Sequence, residues 1–337
     1  MNLIPDLQRV QFHLTNKCNL RCLFCRARNV KIRKELSDEK WLDITRELCE
    51  FKPKQLTISG GGEPLIRKNL ATKVMEMVKA CDIEGALITN GTLVTSDFAK
   101  KLVEIGWNEY RISLHCSSSK MDKYLRGKEN AFSLTLDGIK KINYFKKMSR
   151  SVLPKTEIWM VLTRYNYMEI KKMIKLAKKF EIDAISLKMV NEPSNEEKKF
   201  SLSIEQLKWL KNSFPKFLEL ANKYEVQLKT LFSFNDLFPK KKVKVNKKNK
   251  KKIRKIKCLI PFRELVIFAD GRVSPCCNFF YFKKDEFPIE NIVNKSLKEV
   301  WFGETFNKLR NSILEGNLIK NCRECPVDLK YTERDYR

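Results

Sequence analysis

Along residues 9–190 the chain alternates short apolar, β-branched runs with longer stretches in which apolar positions recur every three or four residues. Period two over about five residues predicts a strand, and period 3.6 over about ten or more predicts a helix lying on it. Strands are predicted over Arg9–Thr15, Gln55–Ser59, Ala86–Thr89, Tyr110–Leu114, Glu157–Leu162 and Ala184–Met189. Helices are predicted between them over Asp38–Phe51, Leu70–Ala80, Ser96–Ile105, Ala131–Lys147 and Tyr167–Phe180, with a further one over 203–223. Regular βα alternation points to a parallel sheet. Six units are fewer than the eight of a closed barrel. The expected fold class is therefore α/β, a partial (β/α)6 TIM-like barrel with its chemistry at the C-terminal ends of the strands.

The pattern breaks at residues 240–257, where twelve of eighteen residues are Lys or Arg and none is acidic. A like-charge run this dense repels itself, as linkers and loosely held arms do. Beyond it, a small unit is expected, with a hairpin around Asp270-Gly271 and a helix over Ser296–Ile313. The expected division is a barrel over 1–225, a Lys-rich linker over 226–257 and a small domain over 258–337. With the first strand starting at Arg9, no N-terminal peptide-recognition domain is expected. The net charge of +28 favours an acidic partner without naming it. No apolar run reaches the roughly 18 residues that span a bilayer, and the first residues lack the apolar stretch of a signal peptide. A soluble, cytoplasmic protein without a membrane span is expected.

In that compartment eleven Cys argue for metal ligation or redox chemistry over disulfides. His13 and His115 are the only imidazoles, so thiolates lead as ligands. Cys18, Cys22 and Cys25 fall within eight residues, directly after the first strand. Thiolates so spaced can hold three irons of a 4Fe-4S cluster and leave the fourth open to a small molecule. A zinc knuckle or reactive thiols are the alternatives, although no fourth zinc ligand is evident nearby. Ser59-Gly60-Gly61-Gly62-Glu63-Pro64 closes the second strand. Its glycines let backbone approach a ligand and Glu63 can accept from an ammonium; a plain glycine turn is the alternative. Cys258, Cys276, Cys322 and Cys325 make a four-thiolate set suited to a saturated 4Fe-4S cluster or to tetrahedral zinc, with Cys277 the rival of Cys276. Cys49 and Cys81 read as buried spacers.

The C-x3-C-x2-C arrangement of Cys18, Cys22 and Cys25, with Phe24 before the third Cys, resembles the signature of the radical S-adenosylmethionine (SAM) superfamily. Gly61-Gly62-Glu63-Pro64 is similar to the family's Gly-Gly-Glu-Pro segment, and Thr89-Asn90-Gly91 and Ser113 fall at family stations after the third strand and at the end of the fourth. The resemblance implies that the first 4Fe-4S cluster binds S-adenosyl-L-methionine. Gly61, Gly62 and Glu63 would then receive its methionyl amine, Asn90 would lie beside it, and Ser113 would bond its ribose or carboxylate. Arg126 would pair with the carboxylate, with a surface cation as the alternative, and Phe24 and Met189 would pack on the adenine, with a core place for Met189 as the alternative. Where many relatives read Ser-Leu-Asp-Gly, this chain has Ser113-Leu114-His115-Cys116, which makes His115 and Cys116 candidate catalytic groups. Cys116 is a candidate hydrogen-atom donor or an incidental thiol. Cys258, the Ile267–Cys277 hairpin, the Trp301 helix and Cys322-Arg-Glu-Cys325 resemble a twitch domain, the shortened relative of the SPASM domain, which implies an auxiliary 4Fe-4S cluster.

The implied activity is that of a radical SAM oxidoreductase. SAM is cleaved reductively to a 5'-deoxyadenosyl radical, a hydrogen is taken from a small molecule or peptide side chain, and an electron passes to the auxiliary cluster, making the net change an oxidation. The implied partner is an acidic electron donor such as flavodoxin or ferredoxin. Two readings stand beside it. The Lys-rich run offers phosphate contacts to nucleic acid, as in a radical SAM enzyme that modifies RNA, although it has no aromatic residue on which bases stack. A non-enzymatic zinc-binding module would use the same cysteines.

Overall fold

A computed structural model describes residues 4–25, 27, 34–190, 199–234, 258–276 and 290–323; the 240–257 run, Cys277 and Cys325 lie outside them. Among the described residues the strands are β1 (Arg9–His13), β2 (Gln55–Ser59), β3 (Glu84–Thr89), β4 (Glu109–Ser113), β5 (Lys155–Leu162), β6 (Ala184–Met189), β7 (Gln227–Thr230), β8 (Glu264–Ile267), β9 (Arg272–Ser274) and β10 (Glu290–Asn291). They form one sheet in the order β10-β9-β8-β1-β2-β3-β4-β5-β6-β7. Every neighbouring pair from β8 through β7 is parallel, whereas β8-β9 and β9-β10 are antiparallel. β7 and β8 stand far apart in this order, so the barrel is open.

The helices are α1 (Asp38–Phe51), α2 (Lys68–Ala80), α3 (Ser96–Glu104), α4 (Ser119–Arg126), α5 (Ala131–Met148), α6 (Ile170–Lys179), α7 (Ile204–Lys223), α8 (Ile260–Arg263), α9 (Leu297–Trp301), α10 (Glu304–Glu315) and α11 (Lys320–Arg323). The first shows how local chemistry builds the layer. Ser37 accepts the N–H of Lys40, and Asp38 and Glu39 sit in the first turn, where the helix dipole favours anions. Trp41, Ile44 and Leu48 fall on one stripe and are fully buried, each stabilising the contact by on the order of 2 kcal/mol. Trp41 meets Phe12 of β1 with ring centroids 4.9 Å apart. Pleating then turns Arg9, Gln11 and His13 to the opposite face, the interior of the barrel.

All six predicted strands and the 203–223 helix are present, and four features differ from expectation. The barrel gains a parallel strand at each edge. Gln227–Thr230, placed in the linker by composition, is β7 on β6, and Glu264–Ile267 pairs with β1 in the register Arg9↔Glu264. A strand of four residues carries too little periodicity to be read, and a partner some 255 residues away leaves no local trace. The residues 119–126 form a helix, α4, that the pattern missed. The single helix expected over 296–313 is two, because Gly303 is extended (φ −70°, ψ 167°) and caps α10. Fourth, Cys49 and Cys81 are not spacers: they form a disulfide across the neighbouring helices α1 and α2, with Cα atoms 5.7 Å apart. No helix among the described residues is long and apolar enough to cross a membrane.

The disulfide is open to a direct check. Peptide mapping of protein alkylated without reductant should leave Cys49 and Cys81 unlabelled and joined. Cys49→Ser should lower the non-reducing unfolding free energy by about 4 kcal/mol, the chain-entropy value for a loop of this size. Equal stability of variant and parent would refute the cross-link.

Candidate metal centre

Cys18, Cys22 and Cys25 lie on the loop that leaves the C-terminal end of β1, and three neighbouring loops hold it. The first is the glycine segment after β2. The N–H of Gly62 donates to the Thr15 carbonyl at 2.9 Å and that of Glu63 to the Lys17 carbonyl at 2.8 Å. A Cβ on Gly62 would lie 1.9 Å from the Lys17 oxygen, and one on Gly61 2.1 Å from Asn16 Oδ1. Gly62 is therefore required by the approach of the cysteine loop's own backbone, while at Gly61 the crowding comes from the Asn16 side chain. The second is the loop after β3, where Asn90 Nδ2 donates to Asn19 Oδ1 (2.9 Å) and Asn19 Nδ2 to Thr92 Oγ1 (2.8 Å). The third is the end of α4, whose Leu125 and Arg126 carbonyls accept the N–H groups of Leu23 (2.9 Å) and Arg21 (3.1 Å). Glu35 adds a fourth tie, accepting from the N–H of Asn16 and the hydroxyl of Thr15.

The trio forms an open rim. Cys18 and Cys25 are exposed and Cys22 is half-buried, and among the described residues no group of three or more His, Cys, Asp or Glu closes on a metal-sized point. Burial raises the Cys18 thiol; burial, then the neighbouring Cys25, pushes Cys22 up to about 12. Thiols whose ionisation is opposed by burial, as at Cys18 and Cys22, call for a cation to stabilise the thiolates. Soft sulfur donors without a fourth protein ligand among the described residues suit an iron-sulfur cluster with one open corner better than tetrahedral zinc.

Of the residues expected around a cofactor, Glu63, Asn90 and Arg126 bond to this loop and Phe24 lies on it, and several are more committed than expected. Glu63 is 2% exposed, and its oxygens accept from Leu65 N (3.0 Å), Thr89 Oγ1 (2.6 Å) and Asn90 N (2.7 Å), while burial raises its carboxyl. Arg126 is neither a surface cation nor available to a ligand carboxylate. Nε and Nη2 donate to Asp122, Nη2 also to Thr135, and Nη1 to the Asn90 and Ser113 carbonyls, which uses all five N–H groups inside the protein. Phe24 does not project as a free platform: its ring meets His115 edge-on at 4.9 Å and packs beside Cys116 and Leu125. Met189 is half-buried against the main core, and Ser113 is half-buried at the end of β4.

His115 and Cys116 form the wall behind the loop. Val161 N donates to His115 Nδ1 at 3.2 Å, and burial, then Arg126, lowers the imidazole to about 3, so it is neutral near pH 7. Cys116 is fully buried, its thiol 3.6 Å from both Asp122 Oδ1 and the Ser118 carbonyl, and burial raises it. A hydrogen-atom donor must reach a substrate, and this sulfur is closed off from one.

Below the mouth the barrel interior is polar. Arg111 donates to Glu109 (Nε, 2.7 Å) and stands 3.9 Å from Glu157, which Lys229 approaches to 3.6 Å. Trp159, beneath the Arg111 guanidinium at 5.1 Å, has a buried indole N–H without a partner. Closed barrels fill this space with apolar layers, whereas here charged side chains from β4, β5 and β7 pair with one another. The two clefts of about 300 and 410 Å³ on the helical layer lie instead at the N-terminal ends of β5, β6 and β7, the face that serves stability.

At the second cysteine set, Cys258 precedes α8, Cys276 follows β9 and Cys322 lies on α11. Phe262, just after Cys258, packs with Leu309, Ile313 and Cys322, which brings two of these arms together. Arg310, missed in the sequence, ties them further. Its Nε donates to the Pro261 carbonyl (2.9 Å), its Nη1 to the Trp301 carbonyl (2.7 Å), and its guanidinium lies 4.2 Å from the Trp301 ring. Its place beside the apolar stripe of Phe306, Leu309 and Ile313 was the available signal. For Asp122 the signal was its i,i+4 spacing to Arg126; for Asn19, Thr92 and Glu35, whose partners are distant in sequence, there was none.

Comparison with known proteins places these features. The radical SAM superfamily model matches residues 12–177, and an iron-sulfur cluster-binding domain matches residues 258–326. Fe-coproporphyrin III synthase of Methanosarcina barkeri is 33% identical over 132 residues, 39% of this chain and 32% of that protein, so the chain spans about a third of that relative. The tungsten-containing aldehyde ferredoxin oxidoreductase cofactor-modifying protein of Pyrococcus furiosus is 22% identical over 95% of this chain and 88% of its own length. Among solved structures, Streptococcus suis SuiB bound to the precursor peptide SuiA superposes with a TM-score of 0.72 at 19% identity, over 92% of this chain and 68% of that one, which supports the partial-barrel fold. The two matched families displace the zinc-binding module.

Two outcomes are expected. Gly62→Ala should push the cysteine loop off its seat and remove about four of an expected total of about eight iron atoms per chain, read by iron analysis after anaerobic reconstitution; full loading would contradict the close approach. The second concerns acid. Burial lowers His115 to about 3 and His13 to about 4 from 6.5. Folded values below the unfolded one mean that each contributes stability that is complete above about pH 6.5 and lost as pH falls toward them. Unfolding free energy should drop by about 1.4 kcal/mol per pH unit per His in that window, and His115→Asn should remove one of the two contributions in urea titrations at stepped pH. An unaltered slope would count against a buried neutral imidazole.

Proposed function

The chain belongs to the radical SAM superfamily, and from that premise we propose that it oxidises a small molecule or a peptide side chain, using an auxiliary iron-sulfur cluster as electron acceptor. One observation carries the reading: the chain segments that bear the first cysteine set and two members of the second flank adjacent, paired strands of a single sheet. β1 leads into Cys18, and β8, which follows Cys258 and precedes Cys276, is hydrogen-bonded to β1 along its length. A rigid framework between two sulfur sites suits electron transfer between them.

When bound on Cys18, Cys22 and Cys25, a reduced 4Fe-4S cluster supplies one-electron cleavage of SAM to methionine and a 5'-deoxyadenosyl radical that abstracts a substrate hydrogen. The chain's own residues do the rest. Glu63, Asn90 and the α4 carbonyls hold the cysteine loop, and Phe24, His115 and Cys116 close its back against water. The Glu109, Arg111, Glu157 and Lys229 ring offers both donors and acceptors to a polar substrate. SuiB binds a precursor peptide, which supports a peptide side chain as one substrate class. Assignment to the oxidoreductases rests on the second cysteine set, which in this reading accepts the electron left on the substrate.

Anaerobically reconstituted protein is expected to cleave SAM after reduction, and deuterated substrate candidates should deliver deuterium to 5'-deoxyadenosine. Cys22→Ala should abolish cleavage. Cys322→Ala should retain cleavage within about twofold while stopping substrate oxidation, since a saturated cluster passes electrons without binding SAM. Substrate oxidation at the parent rate in Cys322→Ala would remove the acceptor role.

A further inference from the structure

The reading above requires an electron to reach Cys18, Cys22 and Cys25 from outside the protein, and the inference drawn here rests on it. We propose that the exposed face of α4, together with the turn after β5, is the docking surface for an acidic one-electron donor protein. The face is centred on Tyr124 and Tyr165, which are 50% and 42% exposed with ring centroids 5.4 Å apart. Tyr165 is backed by the buried Phe200, 6.3 Å away, and Met168, 58% exposed, follows it in the chain. Paired exposed aromatics next to a functional loop mark an interaction site more often than scattered apolar residues do.

The charge around these rings selects the partner. Lys120 lies one turn before Tyr124 on α4 and Arg164 directly precedes Tyr165; both are exposed, and among the described residues neither has an acidic partner within 4.0 Å. Lys123 and Lys172 are paired with Glu129 and Glu169 and leave the net charge of the face to Lys120 and Arg164. On the same helix Asp122 is fully buried against Arg126 and contributes nothing to the surface. A second copy of the chain would bring the same basic ring and be repelled. A substrate must enter the barrel interior, whereas these rings stand outside α4.

The face is also continuous with the cysteine loop. Tyr124 is joined by one peptide bond to Leu125, whose carbonyl accepts the N–H of Leu23 at 2.9 Å, and Leu23 is bonded to Cys22. The route consists of covalent bonds and one hydrogen bond, without a through-space gap. In the step itself the donor is oxidised by one electron, the group held by the three sulfurs is reduced by one, and no bond forms or breaks at the face.

The test uses the full chain, reconstituted anaerobically, with SAM cleavage driven either by dithionite or by pre-reduced flavodoxin. The double variant Lys120→Glu/Arg164→Glu should keep its dithionite-driven rate within about twofold and lose about tenfold or more of its flavodoxin-driven rate; the parent's flavodoxin-driven rate should fall steeply with added salt. A flavodoxin-driven rate unchanged in the variant overturns the proposal. Should both rates fall together, carbodiimide cross-linking of the unaltered protein to flavodoxin decides. Links at Lys120 or Lys123 sustain the docking face, and links confined to other lysines, or to a second copy of the chain, overturn it. Failure of the unaltered protein to cleave SAM with dithionite strikes the proposed reaction instead, and the cross-links still decide the face.

Discussion

Everything at the mouth of this barrel depends on how closely the backbone of the cysteine loop lies against the glycine segment after β2. Two backbone hydrogen bonds join them, and neither Gly61 nor Gly62 could carry a side chain without entering the space of Asn16 or Lys17. Each bond alone is worth about 1 kcal/mol, less than the ordering entropy of a single residue. What fixes the loop is that the loops after β2 and β3 and the end of α4 each supply such contacts at once. The thiols stay exposed at the rim while the backbone beneath them is held.

The Asp122–Arg126 pair shows how that support is itself supported. It is a buried ion pair, and removing either member would leave an uncompensated charge, a loss of about 3–5 kcal/mol. Its Nη1 holds the Asn90 and Ser113 carbonyls, and its own backbone carbonyl accepts from Arg21. One side chain thus links the ends of β3 and β4 to α4, and α4 to the cysteine loop. An arginine fully engaged in this way cannot also meet a ligand carboxylate, and for that reason its expected place in cofactor binding gives way to a positioning one.

Much of this was legible in the sequence where the signal was local. The six βα units, the Asp270-Gly271 hairpin and the position of Cys18, Cys22 and Cys25 after the first strand follow from periodicity and spacing. The tertiary partnerships were not. β8 was read correctly as one arm of a hairpin, but its pairing with β1 joins segments at opposite ends of the chain. Glycines 61 and 62 were singled out as room for a ligand, yet the sequence could not say that the atoms approaching them belong to the protein. Cys116 was noticed because its position is unusual for the family, whereas its burial depends on Phe24, Leu125 and Phe200 converging from three separate segments.

The β1-β8 pairing is where fold and function meet. A small domain tethered only by a charged linker would sample many orientations, and electron transfer falls off steeply with separation. Here Asp6 and Gln8 donate to the Phe262 and Arg263 carbonyls, Leu36 donates to that of Ala269, and four register pairs follow between the strands. The segment that carries Cys258 and Cys276 is therefore the outermost part of the same sheet that presents Cys18. Its orientation is set by the hydrogen bonds that make it a strand, so the Lys-rich residues between β7 and β8 are not needed to set the relation between the two sulfur sites.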